Sequence, residues 1–327
     1  MDTARLKKNA DAPMKTNNVL IVLALFSAPL MGRAQLSVTG VQGTTADADA
    51  LANTLLGPGF TLIGDATYVG NTTGSGLGTV QQGGTFTGGA SAGITINSGV
   101  LLTTGTVQNA VGPNNSPSTT QNWGAAGTPE LNNLASVVTG NAGSHTYDAN
   151  TLTFNFNAAT AGTLYFNYVF GSEEYNEWVG DYNDVFGFFL DGTHVSNDVA
   201  LVPGTSTPVS IDSINLNSNS QYYINNSTGT GTGYTSDPAA PLPLADIQYD
   251  GFTVPLQVSA DISAGNHTIS LEIADTGDGN YDSGVFIQGG SFSSAPTPTG
   301  VPDAGATLSM VGGGLACLAA LRRRFAK

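Results

Sequence analysis

The chain has 327 residues, with 24 Asp and Glu against 9 Lys and Arg. All the basic residues lie before Gln35 or after Leu321, whereas 22 of the acids lie between those two positions. This distribution excludes nucleic-acid binding, which needs a basic footprint, and it excludes Lys or Arg salt bridges in the middle of the chain. The single cysteine, Cys317, likewise excludes disulfides, zinc–thiolate sites and a cysteine nucleophile there.

Residues 1–34 have the pattern of a secretory signal peptide. Lys15 precedes an apolar run at residues 19–26, and the small residues Gly32 and Ala34 follow that run. This arrangement predicts cleavage after Ala34, since the run is too short to span a bilayer. Met14 is an alternative start, because MKTNN opens a more typical signal. A buried core helix is the competing interpretation of the apolar run.

A polar lead, residues 35–45, precedes the one predicted helix, from Asp47 to Gly57. Its first turn is acidic, its leucines recur on one side, and a glycine ends it. Apolar residues then alternate with polar ones in TLTFNFN from Thr151 and in TISLEIA from Thr268, which predicts half-buried strands. TLYFNYVF, VFGFFL and VFIQGGSF are more continuously apolar, which predicts strands covered on both faces.

Tight turns separate these segments, because the chain has 43 glycines and many Thr, Ser and Asn residues. We therefore predict an all-β domain over residues 46–292. Its expected architecture is a jelly-roll-like two-sheet β-sandwich with one short N-terminal helix. Residues 293–300, SSAPTPTG, are predicted to be a linker.

The predicted sandwich resembles the choice-of-anchor L domain in several blocks of sequence. The most distinctive blocks are GSEEY…NDVFGFFL at residues 171–190 and YDSGVFI at residues 281–287. That family is defined by one exported β-rich domain joined to different surface-sorting tails. The resemblance implies a surface-attached, non-enzymatic module and leaves the ligand open.

Residues 301–327 are predicted to be a sorting tail. Its uncharged segment, residues 306–321, is a little short for a full bilayer span, and three arginines follow it. We predict that this C-terminal membrane helix holds the chain transiently in the inner membrane before processing. An ordinary single-span anchor is the alternative.

The tail resembles the VPDSG variant of PEP-CTERM sorting signals. The matching residues are Val301, Pro302, Asp303, Gly305, Arg322, Arg323 and Arg324. Ala304 stands where the motif has serine. The resemblance implies processing by an exosortase-type enzyme in a Gram-negative bacterium, followed by display at the cell surface or release into extracellular polymer.

Acidic residues are concentrated in two loops that each lie between apolar strands. The candidate metal ligands are Glu173, Glu174, Glu177, Asp181, Asp184, Asp275, Asp278 and Asp282. If the strand ends bring these loops together, carboxylates converge without a basic side chain. Two carboxylates about 4 Å apart repel by roughly 4 kcal/mol at an effective dielectric constant of 20. Because Ca2+ relieves such repulsion and accepts oxygen ligands in irregular geometry, the pattern predicts a calcium site.

Other interpretations of these loops stay open. A solvated acidic surface would keep the protein soluble without binding metal. Tyr175, Trp178 and Tyr182 alternate with the acids and are candidates for stacking on sugar rings, although strand aromatics usually belong to the core. A glycoside hydrolase needs only two carboxylates, but nothing here distinguishes an acid from a nucleophile.

The sequence therefore predicts a non-enzymatic exported protein of the cell surface or extracellular matrix, stabilised by Ca2+ and acting in structure or adhesion. Expected partners are the exosortase-type enzyme and extracellular polysaccharide or other surface proteins. A glycan-binding, lectin-like module is the first alternative, and a glycoside hydrolase is the second. Because the carboxylates repel other anions, an anionic polymer would need bridging calcium.

Overall fold

Two antiparallel β-sheets packed face to face form the predicted sandwich region. The computed structural model describes residues 35–72 and 81–298. The predicted signal peptide, residues 1–34, and the predicted sorting tail, residues 301–327, lie outside the described residues. Within the described ranges, no helix has the length and apolar character needed to cross a bilayer.

The larger sheet has eight strands in the order β1-β3-β4-β12-β6-β9-β8, with β10 paired to the edge of β6 that β9 also contacts. These strands are β1 (Ser37–Gly40), β3 (Gly83–Thr87), β4 (Ser98–Thr103), β6 (Gly162–Ser172), β8 (Tyr223–Asn225), β9 (Gly251–Thr253), β10 (Leu256–Ile262) and β12 (Ser283–Gln288). The apolar strands β6 and β12 are neighbours at its centre.

The smaller sheet has four strands in the order β2-β5-β11-β7. These strands are β2 (Phe60–Val69), β5 (Thr146–Ala158), β7 (Val185–Leu190) and β11 (Gly265–Thr276). The long central strands β5 and β11 contain the two segments with alternating polarity. Their apolar residues, such as Leu152 and Leu271, are fully buried between the sheets. The prediction of an all-β two-sheet sandwich is confirmed.

Aromatic rings fill much of the space between the sheets. Phe166 of β6 stacks on Phe292 with ring centroids 4.2 Å apart. Tyr168 of β6 contacts Phe186 and Phe188 of β7 edge to face, at 5.2 and 5.1 Å. Such aromatic pairs contribute about 0.5–1.5 kcal/mol beyond the area that they bury.

The continuously apolar strands are covered on both faces, as the sequence predicts. The outer face of the larger sheet carries Val169 and Phe286, which pack in a second apolar cluster with Ile94 and Ile247. On the outer face of the smaller sheet, Phe189 of β7 packs in a third cluster with Leu134. Each of these residues therefore has apolar neighbours away from the central core.

Helix α1 (Thr45–Leu55) is the helix that the sequence predicts at 47–57. Thr44 and Asp47 form a capping box, in which each side chain accepts a hydrogen bond from the other residue's backbone N–H. The helix ends before the predicted Gly57, because the Gly57 N–H donates to the Phe292 carbonyl at 2.8 Å. A Cβ at Gly57 would lie only 2.2 Å from the Gly290 carbonyl oxygen, so this docking requires glycine.

Within residues 35–72 and 81–298 the structure has two further α-helices, so the prediction of one helix is incomplete. Helix α2 (Gly89–Ala92) is a single turn, and α3 (Pro129–Thr139) is as long as α1. Thr128 caps α3, Pro129 occupies its first turn, and Gly140 ends it in the left-handed conformation. These boundary signals are present in the sequence, but they flank only a short apolar stripe that packs against β7.

Residues 293–298, the described part of the predicted linker, are hydrogen-bonded to the larger sheet. Ser293 and Tyr165 exchange two backbone hydrogen bonds of 2.9 and 3.0 Å. The side chain of Asn167 donates to the Thr297 carbonyl at 2.8 Å. The first residues of the segment thus extend the sandwich.

The one ion pair among the described residues joins His267 of β11 to Asp191, which follows β7, with 2.6 Å between His267 Nδ1 and Asp191 Oδ2. Burial alone would lower the pKa of His267, but hydrogen bonds to Asp191 and to the Ser263 carbonyl outweigh it and raise the pKa above 6.5. A raised histidine pKa stabilises the fold below the unfolded value, and the contribution disappears as pH rises through the folded value.

Replacing His267 with Gln is therefore expected to lower the melting temperature more at about pH 5.5 than at about pH 8.5. Since the Asp191 side chain is 45 % exposed, the pH-dependent part should be below about 1 kcal/mol. Thermal melts of both proteins at the two pH values measure the difference. An equal loss of stability at both values would contradict an ionic contribution.

Candidate functional site

Four strand ends meet at one end of the sandwich. In the larger sheet, Ser172 at the end of β6 pairs with Ser283 at the start of β12. In the smaller sheet, Ala274 near the end of β11 pairs with Val185 at the start of β7. The two acidic loops connect these same strands, β6 to β7 and β11 to β12, so both lie at this end.

Asp184 ties the two sheets together at this end. Its Oδ1 accepts a hydrogen bond from the backbone N–H of Thr276 in β11 at 2.9 Å. Its Oδ2 accepts from the hydroxyl of Ser283 in β12 at 2.7 Å. The loops also contact each other directly, because the Glu173 N–H donates to the Asp282 carbonyl at 3.0 Å. The structure thus brings together the two loops that the sequence predicts as one site.

Most of the predicted metal ligands are buried rather than solvated. Six side chains are at most 1 % exposed: Glu173, Glu174, Glu177, Asp184, Asp275 and Asp282. Asp278 is half-buried, and Asp181 is exposed. Since a buried carboxylate loses its hydration, it needs hydrogen-bond donors, a proton or a cation. The solvated-surface interpretation therefore applies to Asp181 and not to the buried six.

Several of these buried carboxylate oxygens have no hydrogen-bond partner. The atoms are Glu173 Oε1, Glu174 Oε2, Glu177 Oε2, Asp275 Oδ1 and Asp275 Oδ2. The Thr104 hydroxyl and the Asp184 carboxyl lie close enough to Asp275 to affect its pKa, but neither forms a well-aligned hydrogen bond with it. An unsatisfied buried polar group costs about 1–3 kcal/mol, and a charged one costs more.

Asp282, like Asp184, is satisfied by neutral donors. Its Oδ1 accepts from the Gln121 backbone N–H at 2.7 Å, and its Oδ2 accepts from the Asn109 side chain at 2.8 Å. These bonds hold the segment around residues 109–121 against the start of β12. Asp282 therefore has a structural role and offers fewer uncommitted oxygens than Asp275.

Burial and mutual repulsion raise the pKa values of the buried carboxyls of this group. Burial raises the pKa of Asp184 to about 7 and that of Asp282 to about 6. Burial also raises the pKa of Glu174 to about 11 and that of Asp275 well above 3.8, and for both the charge of Asp184 is the next largest cause. At neutral pH the group therefore favours bound protons or an added cation.

Asp250 belongs to the same end of the sandwich, although it lies outside the predicted ligand set. It immediately precedes β9, where Gly251 pairs with Ser172, and it is fully buried. Its Oδ1 accepts from the Asn114 side chain at 2.6 Å, whereas its Oδ2 has no partner. The sequence offers one signal for Asp250: it directly precedes an apolar strand, as Asp184 directly precedes β7.

Asp148 is a further buried acid near the site, and no local sequence pattern marks it. Its two oxygens accept backbone hydrogen bonds from Ala125 at 2.7 Å and Trp123 at 2.8 Å. Its backbone has φ of 51°, which is uncommon for a residue other than glycine. Because donors from the 123–125 segment satisfy it, Asp148 fastens that segment to β5.

The three predicted ligand-binding aromatics have different environments. Tyr175 is fully buried, and its hydroxyl donates to the Ile214 carbonyl at 2.7 Å. The expectation that Tyr175 stacks on a ligand is therefore wrong, because its ring faces the core between the sheets. Trp178 and Tyr182 are half-buried and lie outside the three apolar core clusters.

Trp178 is the centre of a surface aromatic cluster. Its ring lies 5.5 Å from Tyr182, 5.2 Å from Tyr234 and 5.5 Å from Tyr281, measured between centroids. Tyr234 is 75 % exposed. The sequence predicted Trp178 and Tyr182 but missed the other two, because Tyr234 comes from a polar loop without recognisable pattern.

No three Asp, Glu, His or Cys side chains within residues 35–72 and 81–298 stand in an arrangement ready to hold a metal ion. An ion at this end of the sandwich would therefore take part of its coordination from main-chain carbonyls, amide oxygens and water. Ca2+ accepts such mixed sets of six to eight oxygens, whereas Mg2+ demands a stricter octahedron.

Comparison with known proteins matches most of the chain to two family models. The model described as the choice-of-anchor L domain matches residues 39–293. The model described as the VPDSG-CTERM motif matches residues 300–325. None of the curated proteins compared matches the chain.

Proposed function

Because the chain belongs to the choice-of-anchor L family and ends in a VPDSG-type sorting motif, it is an exported cell-surface protein, and we propose that it acts there in structure or adhesion. We further propose that Ca2+ stabilises its acidic end. The sandwich would then present a calcium-rigidified surface to extracellular polysaccharide or to other surface proteins.

The sorting tail supports a specific route to the surface. An exosortase-type system would recognise the motif around residues 301–305, while the segment at 306–321 holds the chain in the inner membrane of a Gram-negative bacterium. Processing would then release the sandwich to the cell surface or the extracellular matrix.

The unpartnered buried oxygens are the observation that carries the calcium proposal. Glu174 and Asp275 present three such oxygens, and Asp184 lies close enough to raise the pKa of both. No Lys or Arg occurs between residues 34 and 321, so no basic side chain of the described region can neutralise them. A divalent cation among these three residues, with Asp278 at the rim, would supply the missing positive charge. The test is a calcium titration of thermal stability.

The surface aromatic cluster supports glycan binding as a second candidate function. A cavity of about 270 Å³ is lined in part by Val179 and Thr235, the chain neighbours of Trp178 and Tyr234, although neither aromatic ring lines it. Its lining includes the amides of Asn176, Asn215 and Asn217 and the hydroxyls of Thr235 and Ser236, which suit sugar hydroxyls, and the nearby rings would offer faces for stacking. The cavity is smaller than the roughly 300–1,000 Å³ pockets of drug-sized ligands, so one sugar unit is the fitting occupant.

Replacing Trp178 with Ala is expected to weaken retention of the chain on extracellular polysaccharide by about tenfold, equivalent to about 1.4 kcal/mol. Loss of the central ring removes the stacking surface while the sheets remain intact. Affinity electrophoresis in polysaccharide gels measures retention, and the exposed Tyr147 offers a control, Tyr147→Ala. Equal retention of both variants and the wild type would remove the glycan-binding candidate.

A non-enzymatic role agrees with the matched families, which are an anchoring module and a sorting motif. Hydrolysis of a glycoside panel by the purified chain, abolished by Glu173→Gln, would instead favour the glycoside hydrolase alternative.

A further inference from the structure

A second group of buried acids lies beside the first. Glu173, Glu177 and Asp250 are at most 1 % exposed, and each has one carboxylate oxygen without a hydrogen-bond partner. These are Glu173 Oε1, Glu177 Oε2 and Asp250 Oδ2. The remaining oxygens have weak or neutral partners: Glu173 Oε2 accepts from Thr119 N–H at 3.4 Å, and Asp250 Oδ1 from Asn114.

The strand register brings this group together. Ser172, the residue before Glu173, pairs with Gly251, the residue after Asp250. The sequence gives no hint of this pairing, because Ser172 and Gly251 are 79 positions apart and β9 is only three residues long. Two acids from distant parts of the chain therefore flank one register pair at the end of the larger sheet.

The loop at residues 226–240 closes over the third member, Glu177. The Thr235 N–H donates to the Glu177 carbonyl at 2.8 Å. A Cβ at Gly231 would lie 2.2 Å from Glu177 Oε1, and one at Gly233 would lie 2.4 Å from Glu177 Cβ. A side chain at Gly233 would clash with the Glu177 backbone and Cβ, and one at Gly231 would displace the Glu177 carboxylate, so the loop is shaped around Glu177.

The charged residues that raise the pKa values of this group differ from those that act most strongly on the first group. Burial raises the pKa of Asp250 to about 8, and the charges that raise it further are Glu177 and Asp237. For Asp275, burial is again the largest cause, and the charges that follow are Asp184 and Asp282. After burial, the charge that most raises the pKa of Glu173 is Asp250, and the one that most raises the pKa of Asp250 is Glu177, whereas for Glu174 and Asp275 it is Asp184; weaker repulsions also run between the two groups.

We propose that the group of Glu173, Glu177 and Asp250 holds a second divalent cation, one or two of its carboxylates directly and the rest through water, distinct from the ion proposed at Glu174, Asp184 and Asp275. Ca2+ fits because all donors are oxygens, and water with nearby amide or main-chain oxygens completes an irregular shell. The inference deepens the proposed calcium function and rests on it. The ion would link the end of β6, the start of β9 and the loop that carries Tyr234.

Calcium stoichiometry of the full chain tests the proposal, measured by native mass spectrometry and by isothermal titration. The wild type should bind two ions through these groups. Asp250→Asn should bind one fewer, because Asn keeps the acceptor for Asn114 but loses the charge. Asp275→Asn should also bind one fewer, and the double variant should bind two fewer. Asp181→Asn, with an exposed carboxylate, should match the wild type.

The outcomes separate this inference from the broader calcium proposal. If Asp250→Asn binds as many ions as the wild type, the second site does not exist. If one ion is lost in each single variant and no further ion in the double variant, a single shared site replaces the proposed pair. If the wild type binds none, both proposals fail. Glu177→Gln, with circular dichroism to verify folding, gives the same comparison should Asp250→Asn not fold.

Discussion

Adding about 1 mM calcium to the metal-free chain at about pH 8 is expected to raise its melting temperature by about 3–6 °C per bound ion. One ion with a Kd of about 0.1 mM stabilises the fold by roughly 1.4 kcal/mol at that concentration. The physical reason is that the ion replaces repulsion among Glu174, Asp184 and Asp275 with attraction. Circular dichroism melts across about 1 µM to 10 mM calcium measure the response.

The calcium response should shrink in acid. Burial raises the pKa of Asp184 to about 7 and that of Asp250 to about 8, from an ordinary 3.8. Between about pH 4 and those values, the folded chain holds protons that the unfolded chain has released, so the metal-free fold loses stability as pH rises. Calcium must displace the same protons, so its stabilising effect should be larger at about pH 8 than at about pH 5.

Magnesium at equal concentration controls for ionic strength and should have a smaller effect, because Mg2+ dehydrates reluctantly. A melting temperature independent of calcium at about pH 8 would contradict the account. So would a metal-free fold that becomes more stable between about pH 5 and pH 8, because raised carboxyl pKa values require the opposite sign.

Replacing Asp275 with Asn is expected to change stability in opposite directions with and without calcium. In the metal-free chain at about pH 8, the substitution removes a buried carboxyl that must either stay charged without a hydrogen-bond donor or take up a proton, so the fold should gain on the order of 2 kcal/mol. With calcium present, the variant should be less stable than the wild type, because it loses the stabilisation that the ion bound near Asp275 provides. Melts with excess chelator and with about 10 mM calcium measure both effects.

Asp181→Asn is the matched control, since the sequence places Asp181 in the other acidic loop of the same predicted site but the structure leaves it exposed. It should leave both melting temperatures nearly unchanged. If Asp275→Asn destabilises the metal-free chain, the carboxylate makes favourable interactions there, and the argument from unpartnered oxygens is wrong.

The sandwich can be predicted from the sequence because the apolar pattern of each strand indicates which of its faces are buried. Alternation around Thr151 and Thr268 predicts the two central strands of the smaller sheet, and continuous apolar runs predict β6, β7 and β12. Helix α3 is missed because its start and end signals flank only a short apolar stripe. Its burial depends on packing against β7, which is a tertiary contact.

The acidic end is only partly predictable. The absence of Lys and Arg between residues 34 and 321, and the position of acids at strand ends, indicate where carboxylates converge. Which of them have donors depends on distant segments: Asn109 and Gln121 satisfy Asp282, whereas nothing comparable reaches Asp275. Asp250 joins the site through the pairing of Gly251 with Ser172, which no local pattern encodes.

The burial of Tyr175 likewise could not be predicted from its local sequence. It alternates with acids in a loop, so its sequence neighbourhood suggests exposure. In the fold its ring packs against Phe170 and Tyr223, with centroids 6.4 and 4.8 Å away, and its hydroxyl is satisfied by Ile214. Segments distant along the chain cover it, as they cover the neighbouring acids.

A crystal structure of the chain grown with calcium at about pH 8 tests the central claim most directly. The account predicts an ion within about 2.3–2.6 Å of carboxylate oxygens of Glu174 and Asp275, with water and neutral oxygens completing its shell. Calcium-free density at both acidic groups, with the carboxyls hydrogen-bonded to one another as proton-sharing pairs, would contradict it.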